Sequence, residues 1–410
     1  MKKFLALILT FLTAFGLFAC GSKEDPTLTP EYGIADMSRQ YGVCYEMHVR
    51  YEDGNELDVD KEIKLLKNLG VTSMRFWLQT NTYLYSPTRV NEEKCARAHN
   101  FLAKLIEADI MVVGVNHTNF NNGTNSSGKP ARDLSNGSYY VEWLEDYYTT
   151  WKTLVTEFPE VTYWEIDNEV NNTDFMKNQY GESLLDQQDM ADVATDIFYY
   201  ASRAIHDANP NAKSVMGGLV GLLSGRIKTF MEKLYVNIQS GEFGYFYGKE
   251  DKKNASKNAD DYFEIACWHP YMEGVFSKKL FKQANDEIYE VILKNEKKHK
   301  KVIFSEVGFS NRDYKETVSA KYVKNMFEVL QTMPYVEQVH YYKMFDYADP
   351  LKYWTKTISR YGLFYDPDPS REYTNNENDL IVEAGAPKPA AYAFQEAAGG
   401  SGEINLNKIN

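Results

Sequence analysis

Between about residue 39 and residue 398 the chain alternates between short, nearly all-apolar runs and longer stretches whose apolar residues recur every three or four positions. The short runs fall at 41–45, 71–77, 110–115, 163–170 (begun by Val161), 214–220, 263–268, 302–304 and 336–344, and each reads as a strand buried on both faces. The periodic stretches fall at 58–69, from Asn91 to about Ile106, and at 140–158, 185–208, 227–238, 276–300, 318–332 and 390–397. The first helix places Val59, Ile63, Leu66 and Leu69 on one face and stops at Gly70, and Asn91 offers an N-cap ahead of Glu92 and Glu93. Strands that each lead into a helix predict an α/β chain folded as a single (β/α)8 TIM barrel, with long loops after the third, fourth and eighth strands. A doubly wound sheet is the competing topology, but it calls for a Gly-rich phosphate turn after the first strand, where this chain has none. The stretch 241–260 is polar and Lys-rich and is expected to be an exposed excursion.

The N-terminus adds a destination. Lys2 and Lys3, an apolar run to Phe18, and then Leu17-Phe18-Ala19-Cys20 form an export leader whose end resembles a bacterial lipobox, so residues 1–19 are expected to be removed and Cys20 lipidated. Lys23-Glu24-Asp25 resembles the signal that sends such lipoproteins to the cell surface, and 20–38 reads as a linker carrying Pro26 and Pro30. The barrel then occupies 39–398 and a loose tail 399–410. The formal net charge of −13 argues against nucleic acid as a partner. Cys44, Cys95 and Cys267 sit in apolar surroundings and read as buried thiols, and no His-x-His or Cys-His cluster calls for a metal or other cofactor. Aromatic residues make up 14% of the chain, and Trp77, Trp268 and Trp354 are candidate platforms for stacking on a sugar.

In a barrel of this kind all strand C-termini open onto one face, where a site is assembled. The residues at those exits are Arg75, Asn116 and His117, Asn168 and Glu169, His269 and Tyr271, and Glu306. Glu169 and Glu306 end the fourth and seventh strands, across the barrel from each other. Two carboxyl groups ~5 Å apart can serve glycoside hydrolysis with retention, one as acid and the other as nucleophile. Arg75 is placed to keep Glu306 ionised. Glu165 and Asp167 share the fourth strand, and simple alternation would put both on the same face as Glu169.

This ordered set resembles the clan A glycoside hydrolases, barrel enzymes with catalytic glutamates on strands four and seven. The resemblance implies that Glu169, which follows Asn168, is the acid/base and Glu306 the nucleophile, with Asn168 bonded to the sugar 2-hydroxyl. Family 5 members also carry an Arg on strand two, a His ending strand three and His-x-Tyr after strand six, positions held here by Arg75, His117, His269 and Tyr271, which are therefore expected to bind substrate. Where family 5 usually has a Trp on strand eight, this chain has Tyr341-Tyr342-Lys343-Met344-Phe345-Asp346. The run Trp164-Glu165-Ile166-Asp167-Asn168-Glu169 is similar to family 39. The implied activity is a retaining β-glycosidase acting on a β-linked oligo- or polysaccharide, as an endo-β-glycanase of mannan, xylan or glucan type. An exo-enzyme and a non-catalytic surface glycan-binding lipoprotein are the alternatives.

Overall fold

The computed structural model describes residues 39–45, 58–116, 132–135, 137–177, 181–272, 274–346, 360–367 and 381–409. The leader, Cys20, the linker, His117 and Trp354 lie outside them. The strands are β1 (Gln40–Tyr45), β2 (Ser73–Trp77), β3 (Met111–Asn116), β4 (Tyr163–Asn168), β5 (Lys213–Gly218), β6 (Ala266–Cys267), β7 (Val302–Val307) and β8 (Val336–Tyr341). They pair in parallel in the order β5-β4-β3-β2-β1-β8-β7-β6. Bridges Val215–Ile265 and Leu219–Trp268 bring β5 beside β6 and close the barrel. The strands are joined by α1 (Val59–Leu69), α2 (Glu92–Glu107), α3 (Tyr139–Glu157), α4 (Gln187–Ala208), α5 (Arg226–Ser240), α6 (Lys278–Glu296) and α7 (Glu316–Leu330), and α8 (Pro389–Ala398) follows β8.

The local chemistry accounts for the helix ends. Asp58 and Asn91 accept from the backbone N–H of Lys61 and Lys94, and Gly70 takes the left-handed conformation (φ 84°) that closes α1. Outward-facing Trp164 on β4 meets Trp151 of α3 edge-on at 6.1 Å, while Arg75, Glu165 and His340 fill part of the barrel interior with polar groups. Cys44, Cys95 and Cys267 are buried and form no disulfide with one another.

Three expectations need correction. The 241–260 segment is not simply an exposed excursion, because Phe243 and Tyr247 are buried and Phe246 packs edge-on against Tyr200 of α4 at 4.8 Å. Its aromatic residues, Phe243 to Tyr247, come before the lysines, and Phe246 and Tyr247 pack against Tyr199 and Tyr200 of α4. Nor is 399–409 loose: Ile404 and Ile409 are buried, and Asn68 Nδ2 donates to the Glu403 carbonyl at 2.7 Å, so two isoleucines in a polar run tie the segment to α1. The seventh strand runs on through Val307, carrying Ser305 and Glu306 inside it.

Candidate active site

Two backbone irregularities build the site. On β7, Phe304 and Val307 pair with Val339 and Tyr341, so Ser305 and Glu306 together oppose the single residue His340. Such a bulge breaks the alternation of faces, and both Ser305 and Glu306 reach buried polar partners in the barrel. In β4 Asp167 has φ 66°, and just past its end Glu169 has φ 49°, left-handed values that cost a non-glycine residue on the order of 1–3 kcal/mol and cluster at functional sites. The flip at Asp167 sends its carboxylate to the hydroxyl of Tyr147 on α3, while Glu165 and Asn168 both meet Arg75. Glu165, Asp167 and Glu169 therefore do not share one face, because alternation holds only where φ stays extended.

Arg75 organises the floor. Its Nε and Nη2 donate to the two oxygens of Glu165 at 2.6 and 2.9 Å, its Nη1 to Glu306 Oε1 at 2.6 Å, and its Nη2 also to Asn168 Oδ1 at 2.8 Å. Its guanidinium lies 5.0 Å from the centre of the Trp77 ring. Charge and hydrogen bonds from Arg75, with His269 adding to them, overcome the upward push of burial and hold Glu165 at about 2. An arginine fork facing three acceptors is a geometry that a lysine cannot reproduce.

Tyr271 donates to Glu306 Oε2 at 3.0 Å, so both oxygens of Glu306 receive a donor. Asn172 donates to Glu169 Oε2 at 2.6 Å, and His269 Nδ1 stands 3.3 Å from Glu169 Oε1 and 3.7 Å from Glu306 Oε2. His269 is fully enclosed; a methyl group at Gly218 would come within 2.1 Å of its Nε2, so β5 must end in glycine for the ring to fit.

One oxygen of Glu169, one of Glu306 and one His269 nitrogen all lie within 4.8 Å of one another. Three such donors could hold a cation. Here, however, each of the four carboxylate oxygens already faces a protein donor and Arg75 supplies a positive charge 2.6 Å away, so a metal would compete with these groups. The set is better furnished for moving protons between acids.

The proton balance follows from burial and charge. Burial alone would lower His269, but the charge of Glu306 and the contacts with Glu165 and Glu169 hold it at about 9. Burial pushes Glu306 above its ordinary range despite the pull of His269 and Arg75, and the charges of Glu169 and Glu165 add to the push. Glu169 is held below its ordinary range because His269 and Asn172 outweigh its burial. These directions favour a charged His269 facing an ionised Glu169 across the 3.3 Å contact between Nδ1 and Oε1.

Of the residues read from sequence, the structure brings Arg75, Asn168, Glu169, His269, Tyr271 and Glu306 together. Asn116 is buried at the end of β3 and accepts from the backbone and hydroxyl of Thr80 at 2.9 and 2.7 Å, which makes it a structural cap. Trp268 is no platform: it is buried and donates to Asn285 of α6 at 2.6 Å. Reading the sequence missed the roles of Glu165, Ser305 and Asn172. It also missed Tyr361, whose ring meets Tyr271 edge-on at 5.9 Å and Tyr342 at 5.7 Å, forming an aromatic group beside Glu306. The Gly217-Gly218 pair ending β5 was the visible sign that another group needed the space.

No family model matches the chain, and no curated protein matches it. Solved structures do resemble it. A family 39 glycoside hydrolase from the gut symbiont Bacteroides cellulosilyticus WH2 aligns with 16% identity and a TM-score of 0.58, over 88% of this chain and 63% of that one. A family 1 β-glucosidase from Thermotoga maritima aligns with 12% identity and a TM-score of 0.57, over 91% of this chain and 99% of the enzyme. A GH5_18 protein from Bifidobacterium longum subsp. longum aligns with 13% identity and a TM-score of 0.57, over 88% and 78%. The likeness is one of fold: the chain shares the (β/α)8 architecture of glycoside hydrolases of families 1, 5 and 39.

Proposed function

We propose that the protein is a retaining β-glycosidase of the clan A type, with Glu306 as nucleophile and Glu169 as acid/base, acting within the chains of a β-linked glycan of mannan, xylan or glucan type. The observation that carries this reading is the pair of carboxylates at the ends of β4 and β7, with one oxygen of each within 4.8 Å of the other, in keeping with the close pair of carboxyl groups that a double displacement uses. Glu306, oriented by Arg75 and Tyr271, attacks the anomeric carbon as its carboxylate while Glu169 gives its proton to the leaving oxygen. Water then cleaves the glycosyl–Glu306 ester, and Glu169 takes up the proton that the water loses. Asn168 Nδ2 is left to meet the 2-hydroxyl, since its Oδ1 is held by Arg75. Glu169, at 14% side-chain exposure against 8% for Glu306, is the more open of the two, as suits the group that meets leaving group and water.

The long loops read from sequence around strands three, four and eight support a cleft for an extended chain. The leader and Cys20 support an enzyme held outside the cytoplasm on a lipid anchor. The direct test is hydrolysis of β-mannan, xylan, β-glucan and aryl β-glycosides by wild type and Glu306→Ala side by side. Wild type is expected to cleave at least one substrate, and the variant to lose activity by about three orders of magnitude or more. Equal rates in the two proteins would refute the assignment.

A further inference from the structure

We propose that Ser305, the residue before the nucleophile, is a positioning residue that fixes a proton on His269 Nε2 and so reserves Nδ1 for proton exchange with Glu169. The inference rests on the glycosidase reading and concerns how its acid is supplied.

Ser305 Oγ has three neighbours: Glu165 Oε1 at 3.0 Å, His269 Nε2 at 2.9 Å and Cys267 Sγ at 3.0 Å. A serine hydroxyl offers one donor and two acceptor sites. Glu165 is ionised and can only accept, and it also takes Arg75 and the Gly218 N–H at 3.2 Å, so the Ser305 proton must point to it. Both lone pairs of Oγ are then left to accept, one from the Cys267 thiol and one from His269 Nε2–H. His269 therefore carries hydrogen on Nε2 in either charge state, and the proton it gains or loses is the one on Nδ1. The charged groups facing that nitrogen are Glu169 and Glu306, with Glu165 3.9 Å from Nε2 behind the ring.

Each step balances. The pair exchanges one proton, imidazolium and carboxylate becoming neutral imidazole and carboxylic acid at Glu169. Glu169 passes that proton to the departing oxygen as Glu306 bonds to carbon. In the second half Glu169 recovers a proton from water, and His269 Nδ1 can take it back. With the opposite tautomer, neutral His269 would donate to Glu169 and favour its ionised form, the wrong state for an acid.

Two readouts test this on the full chain. The first is two-bond 15N–1H correlation on histidine-labelled protein at about pH 10, where His269 is neutral, assigned with His269→Asn. Wild type is expected to show hydrogen on Nε2, and Ser305→Ala to populate hydrogen on Nδ1. Hydrogen on Nδ1 in wild type, or no change in Ser305→Ala, would overturn the proposal. The second is kinetic. Ser305→Ala is expected to lose about tenfold or more on glycosides with alkyl or sugar leaving groups, which need the acid, and about twofold or less on a dinitrophenyl glycoside, which does not, with Ser305→Thr restoring the hydroxyl and the rate. Equal losses on both substrate types would overturn it. If Ser305→Ala does not fold, the wild-type tautomer and the Thr variant decide. If wild type cleaves no glycoside, the functional reading fails while the tautomer measurement still gives its answer.

Discussion

Arg75 Nη1 lies 2.6 Å from Glu306 Oε1, and the same guanidinium grips Glu165 with two further donors. One buried cation thus serves two buried carboxylates, and its removal leaves both uncompensated. Arg75→Ala is expected to destabilise the fold by about 3–5 kcal/mol, read as a lower denaturation midpoint. Arg75→Lys keeps the charge but not the fork. It should retain much of the stability yet lose activity by about a hundredfold or more, and full activity in the lysine variant would show that orientation of Glu306 does not matter.

Gly218→Ala tests the packing around His269. The added methyl would meet Nε2 at 2.1 Å, so the ring must leave the position in which it meets Ser305 and Glu169. Activity should fall by an order of magnitude or more, with kcat affected more than KM. A fully active Gly218→Ala would mean that the position of His269 is not critical.

The rate should depend on pH as a bell. Burial lifts Glu306 above its ordinary 4.5, so the acid limb should fall above that value as the nucleophile becomes protonated. The alkaline limb should reflect loss of the proton shared by His269 and Glu169, near the His269 value of about 9. Profiles of kcat/KM for wild type and His269→Asn check this; an alkaline limb unmoved by the substitution would assign it elsewhere.

Stability should follow the same histidine. Its folded value of about 9 exceeds the ordinary 6.5, so its contribution is complete below 6.5 and is lost as pH rises through 9. His340 acts with the opposite sign. Burial holds it at about 3, so below 6.5 the unfolded chain binds a proton that the folded chain refuses, and stability declines toward acid. Tm measured from pH 5 to 9 should fall on the alkaline side in wild type, and that fall should shrink in His269→Asn.

The barrel was legible because each of its strands is an apolar run followed by a helical period, a signal that survives errors of a few residues at the ends. The site was legible where polar residues stand at or near the C-terminal ends of those runs, as Asn168-Glu169, His269-Pro270-Tyr271 and Glu306 do, and where the charged Arg75 interrupts an apolar run from within β2. What alternation could not give was the effect of two local departures from extended backbone. The left-handed Asp167 turns that side chain out to Tyr147, and the bulge opposite His340 brings Ser305 inward beside Glu306. Alternation places Glu165 on the face of Glu169 but names no partner for it, and the fork of Arg75 shows it to be the anchor of the site. Asn116 stood at an equally promising exit, but Thr80, thirty-six positions earlier, claims its side-chain oxygen. Such partners are set by tertiary contact and leave no periodic trace.

The central claim, double displacement through Glu306, is tested most directly by following the anomeric configuration of the first-formed sugar by 1H NMR on whichever β-glycoside wild type cleaves. The geometry of Glu169 and Glu306 predicts that the β-anomer appears first and mutarotates later. An α-anomer as the initial product would contradict the nucleophilic role of Glu306 and the mechanism built on it.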